Sequence, residues 1–117
     1  MPVPTEAQEQ VAFVYYLRAR KIKHFRVPSE TYTKSWAQKA KNKALGVVRG
    51  VPDLFILTPN GLIAIEMKRI KGGTTSPEQK EWIAALNDAG QPAFVAKGAE
   101  EAIAIVERYI PQKPVEF

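Results

Sequence analysis

The chain has 117 residues, 45% of them hydrophobic, enough for one domain with a buried core and too few for two. It holds no cysteine and one histidine, which removes disulfides, thiolate metal sites and the usual zinc ligand sets, and makes an intracellular setting the simpler expectation. The net charge of +5 is unevenly placed, since residues 1–49 hold ten Lys/Arg against three Glu and the remainder seven against nine acids, which points to a polyanion, with nucleic acid ahead of an anionic membrane.

The opening MPVPTEAQEQ lacks the basic start and apolar run of a signal peptide, and no window reaches the roughly 18 apolar residues of a membrane span. Thr5 as N-cap with Gln8 three residues on predicts a first helix running to about Arg20. At 100° per residue, Glu6, Gln10, Phe13, Val14 and Leu17 share one side. Glu6 is therefore expected on the buried stripe, and Glu9 on its solvent margin beside Ala12 and Tyr16. IKHFRV, residues 22–27, alternates as a short strand that Pro28 ends. From residue 29 to 50 the chain turns polar and basic, with Lys34, Lys39, Lys41, Lys43 and Arg49 interleaved with Tyr32 and Trp36. It reads as a mobile basic arm, in which KSWAQKAKNKAL has the composition for a short helix.

Residues 53–58 and 62–68 form two strands joined by the turn TPNG. After the loop KGGTT, a second helix starts at SPEQ, with Ser76 as cap, Pro77 at the first position and Gln79 completing a capping box, and it ends near Gly90. PAFVA supplies a fourth strand, GAEEAIAIVERYI a third helix, and residues 111–117 a frayed tail. The order is αβββαβα. A β-α-β crossover makes the last strand parallel to its predecessor, so a single three-layer α/β domain over residues 1–117, with a short mixed central sheet, is expected.

Three charges interrupt the apolar hairpin. Alternation in LIAIEMK sends Leu62, Ala64, Glu66 and Lys68 to one face and Ile63, Ile65 and Met67 to the other. With Pro59 and Asn60 as a two-residue loop, Asp53 falls across from Glu66, their Cβ atoms about 5 Å apart. Pro59 cannot adopt positive φ, however, and Pro-Asn-Gly favours a three-residue loop with a glycine bulge. That alternative shifts the register by one and needs a bulge or twist near Asp53. Adjacent carboxylates repel and are costly to bury, so they call for a cation. Carboxylate oxygens, a backbone carbonyl and waters suit Mg²⁺ or Mn²⁺, and an ion so held lowers the pKa of a bound water. Lys68 beside them has the charge to orient that water or to stabilise a transition-state anion.

GVPD followed by EMK resembles the PD-(D/E)XK nuclease superfamily. TEAQEQ, GVPDLFIL, GLIAIEMKR and SPEQKEWIAAL, in that order, are similar to successive motifs of its VRR-NUC branch, the virus-type replication-repair nucleases. The resemblance implies a restriction-endonuclease-like fold with Asp53, Glu66 and the Met67 main-chain carbonyl as metal ligands, Lys68 as catalytic lysine, and Glu6 as the first-helix acid, counted with the metal and catalytic groups. Gln79 matches the glutamine of the second helix. Ser29 in VPSE departs from the asparagine-glutamate pair of many relatives, which leaves Glu30 without an assigned role. Short members of the branch are phage or prophage homodimers that cut branched DNA such as Holliday junctions.

Plainer readings compete at single residues. Alternating Glu and Lys marks any half-solvated strand, an acid at position 6 complements the helix dipole, and a capping box already accounts for Gln79. His24 has no second histidine or cysteine to form a ligand set and is read as structural or DNA-contacting. The sequence thus predicts a metal-dependent endonuclease of DNA, with Lys34, Trp36, Lys39, Lys41, Lys43 and Arg49 as nucleic-acid contacts. A non-catalytic nucleic-acid-binding module and a nuclease acting on RNA stand as alternatives.

Overall fold

The computed structural model describes residues 2–27 and 35–111. The elements run α1 (Glu6–Ala19), β1 (His24–Arg26), α2 (Trp36–Ala44), β2 (Leu54–Thr58), β3 (Gly61–Lys68), α3 (Pro77–Asp88), β4 (Ala93–Lys97) and α4 (Ala99–Tyr109). This is the expected order, with α2 set into the basic arm. Residues 28–34, which include Ser29, Glu30, Tyr32 and Lys34, and the tail from 112 onward lie outside the described residues.

Local chemistry fixes the helix starts. Thr5 accepts from the Gln8 amide while Gln8 Oε1 accepts from the Thr5 amide, and Ser76 and Gln79 repeat the arrangement at α3. The sheet order is β1-β2-β3-β4, antiparallel except for the parallel β3–β4 pair that the α3 crossover produces. Ile63, Ile65 and Met67 of β3 meet Leu54 and Ile56 of β2, Phe13 and Leu17 of α1, and Ala102, Ile105 and Val106 of α4 in one buried cluster. Trp82, Ile83 and Leu86 of α3 are half-buried outside that cluster, on the side of Ala64 and Glu66, and complete the third layer.

The hairpin keeps the two-residue loop. Thr58 pairs with Gly61 and Leu54 with Ile65, so the one-residue shift that the turn chemistry favoured does not occur. Gly61, at φ 112°, is the turn's residue with positive φ, which spares Pro59 and Asn60, and the Thr58 hydroxyl donates to the Gly61 carbonyl at 2.7 Å. A shifted register would turn Ile63, Ile65 and Met67 away from the core, and that cost exceeds any turn preference.

The first helix is turned relative to the sequence expectation. Its buried residues are Glu9, Phe13 and Leu17, whereas Glu6 is exposed. Spacing of i, i+4, i+8 along one face explains the set, and packing against α4 selects that face over the neighbouring one.

Gly50 brings the loop ahead of β2 against α3. At φ 87°, it sits where a Cβ would lie 2.5 Å from the Glu78 carbonyl carbon and 2.8 Å from the Gln79 nitrogen. Gly50→Ala is expected to cost at least about 1–2 kcal/mol from backbone strain alone, with the clash added. Urea unfolding measures it, and an unchanged midpoint is the contrary result.

Candidate active site

One step beyond the Leu54–Ile65 pair, the register sets Asp53 opposite Glu66 at the end of the hairpin. The Asp53 carbonyl accepts from the Val27 amide at 2.8 Å, which ties this residue to the end of β1. Asp53 and Glu66 open onto a cavity of about 490 Å³, whose lining includes Glu6 and Gln10 from α1, Arg26 from β1 and Gln79 from α3. Three layers thus contribute side chains to one concave site.

Burial and a partial excess of negative charge set its electrostatics. Glu66 is 5% exposed. Burial first, and then the Asp53 charge, push its carboxyl up to about 7, with Lys68 pulling the other way. Asp53 is raised as well, mainly by burial, while the Arg26 guanidinium opposes the shift. Asp53 Oδ1 is buried without a hydrogen-bond partner among the described residues. Lys68 Nζ stands 4.0 Å from Glu66 Oε2, and Lys68 is buried, at 7% exposure. Lys68 and Arg26 bring two positive charges to a site where Asp53, Glu66 and Glu6 bring three negative ones.

The VRR-NUC domain family matches residues 7–100. The chain belongs to the VRR-NUC family. A solved VRR_NUC domain protein superposes with a TM-score of 0.74 at 28% identity, covering 92% of this chain and 89% of that one. None of the curated proteins matches. The family makes this a nuclease-type domain.

In this VRR-NUC domain the matched residues take in Asp53, Glu66, Lys68 and Gln79 and begin one position after Glu6. Glu6 reaches the cavity as an exposed residue at its edge, and not as part of the buried stripe. Gln79 completes the capping box, its Oε1 accepting from the Ser76 amide, and also lines the cavity. Lys68 stands behind Glu66 and outside the lining. The Met67 side chain is fully buried in the core, on the opposite face from Glu66 and Lys68. Among the described residues no three acidic, histidine or cysteine side chains close into a ready ligand set. The two acids that the fold juxtaposes are Asp53 and Glu66.

Arg26 and Gln10 were not anticipated at the site. Arg26 carried a signal only as one of ten cations in the basic half, and its place became visible once β1 paired with β2. His24 is accounted for structurally, with Nδ1 2.9 Å from the Ile22 carbonyl oxygen. On the VRR-NUC basic arm, α2 buries no residue. Trp36 is 85% exposed with the Lys39 ammonium 5.4 Å from its ring centroid, and Lys41, Lys43 and Arg49 are exposed as well. No helix among the described residues is long and apolar enough to cross a membrane.

A raised carboxyl pKa means that the folded state binds a proton more tightly than the unfolded chain. The Glu66 contribution to stability is therefore fully present below 4.5 and is lost as pH rises through about 7. In EDTA, Glu66→Gln is expected to gain stability over wild type as pH goes from 4.5 to 7.5. Thermal unfolding across that range measures the difference, and a difference independent of pH contradicts it.

Proposed function

We propose that this chain is a divalent-metal-dependent endonuclease that hydrolyses DNA phosphodiester bonds. The observation that carries the reading is the Asp53–Glu66 pair, with Glu66 raised to about 7 and Asp53 Oδ1 unpartnered at the cavity. Two oxygen donors under mutual repulsion are what a hard cation relieves. Asp53, Glu66 and the Met67 carbonyl would hold Mg²⁺ or Mn²⁺, with Glu6 adding negative charge from across the cavity. When bound, the ion supplies a water of lowered pKa and charge stabilisation at the phosphoryl group.

The protein's own groups account for the remaining tasks. Lys68, held beside Glu66 and screened from solvent, has the role of stabilising the negative charge that grows in the transition state. Gln79, with its oxygen fixed by Ser76, has its amide NH₂ left to donate to a phosphate oxygen. Arg26 at the cavity wall offers a second cation to the strand being cut. Lys39, Lys41 and Lys43 on α2, with Lys34 and Arg49, supply backbone contacts, and Trp36 a face on which an unpaired base stacks. A branched substrate such as a four-way junction, cut symmetrically, requires two such sites about a two-fold axis and hence a homodimer. An intracellular protein of phage or prophage origin fits this role.

Labelled duplex, flap and four-way DNA, with RNA counterparts, incubated in Mg²⁺, Mn²⁺ or EDTA test the activity. Cleavage is expected with either metal and not in EDTA. Lys68→Ala should lower cleavage by at least about 100-fold while leaving DNA affinity in Ca²⁺ nearly unchanged; retained turnover removes the mechanism. Replacing Lys39, Lys41 and Lys43 together by alanine should weaken binding across sequences and flatten the dependence of log affinity on log salt by about 2 to 3. An unaltered slope places the phosphate contacts elsewhere.

A further inference from the structure

The α1 carboxylate that sequence pattern assigned to solvent, Glu9, is 8% exposed and lies against the start of α4. We propose that Glu9 is a positioning residue of the nuclease site, capping α4 from outside and so holding Glu6 in register with Lys68. The role rests on the nuclease reading above, while the cap itself is independent of it.

Two consecutive amides make the connection. The Gly98 N–H donates to the Lys68 carbonyl at 2.9 Å, and the Ala99 N–H donates to Glu9 Oε1 at 3.2 Å. The two peptide units flanking Gly98 therefore join β3, β4, α4 and α1 beside Lys68. Helix α4 has Gly98 at its N-cap and no side-chain cap of its own, so the acceptor its first turn lacks arrives from α1, 90 positions away in sequence. The negative carboxylate also meets the positive end of the helix dipole.

Gly98 is what makes room. At φ 88°, a Cβ there would lie 3.0 Å from Glu9 Oε2 and 2.8 Å from Ile70 Cγ1. Glu9 Oε2 has no hydrogen-bond partner among the described residues, so the Ala99 amide supplies the directional restraint on this buried group. Glu6 lies three residues earlier on the same helix, just under one turn, and Gln10 one residue later. Rotation or sliding of α1 about Phe13 and Leu17 would move both away from Asp53 and Glu66, and misplacement by about 1 Å is enough to cost roughly 100-fold in rate.

The test compares Glu9→Ala, Glu9→Gln and, as a core control remote from the cavity lining, Val106→Ala. It is run on the DNA that wild type cleaves best, at a temperature where all are folded. Glu9→Ala is expected to lower the single-turnover rate about 10-fold or more with affinity in Ca²⁺ within about twofold. Glu9→Gln keeps an acceptor oxygen and should recover most of the rate, and Val106→Ala should keep it despite a lower Tm. Amide exchange at Ala99 should accelerate in Glu9→Ala and much less in Glu9→Gln. Should Glu9→Ala not fold, Glu9→Asp, one methylene too short, is expected to show the same fall. Equal rates in the Glu9 variant and the core control overturn the positioning role, and unchanged Ala99 exchange overturns the cap. If wild type cleaves none of the nucleic acids, the nuclease reading and the positioning role fail together, and Ala99 exchange still decides the cap.

Discussion

The pairing of β2 with β3 forces two carboxyl groups together at the end of a ribbon whose other side is the hydrophobic core. Their repulsion cannot be relieved by slipping the strands, because a one-residue slip turns Ile63, Ile65 and Met67 out of the core. Burying each such side chain is worth roughly 1.5–3 kcal/mol, so the apolar face outweighs the strain at Asp53 and Glu66. What remains is a fixed electrostatic defect, met by a proton on Glu66 or by a cation.

The rest of the molecule is arranged around that defect. Helix α1 supplies one wall of the cavity and α3 another, and Gly50 lets the loop carrying Asp53 touch the backbone of α3. Negative charge is concentrated at the floor while the chain as a whole is basic. Such a floor repels a phosphodiester unless a cation intervenes, whereas the lysines of α2 attract it from farther out. On the proposed function, polyanion and divalent ion would thus each favour the presence of the other, without any conformational device.

Much of this was legible in the residues. Thr5/Gln8 and Ser76/Gln79 announced two helices through their caps, and the apolar alternation of residues 62–68 separated the face of Glu66 and Lys68 from the core face. What failed to show was decided by contacts distant in sequence. On α1 the expected Phe13 and Leu17 are buried, but the burial of Glu9 in place of Glu6 is set by α4 and not by the helix's own pattern. The hairpin register was ambiguous because the local turn preference and the packing of the whole ribbon pointed to different answers, and packing decided. Arg26 looked like any other surface cation, since nothing in HFR says which neighbour its strand will have.

Helix α2 contributes nothing to the hydrophobic cluster and begins at its own Ser35 cap. Substitutions along it therefore carry little penalty for the folding of the remainder. If α2 contacts the nucleic acid as proposed, preference for one shape over another would drift, or be engineered, in this one short appendage while the Asp53–Glu66 centre stays untouched, so that substrate choice and catalytic competence would evolve as separate modules.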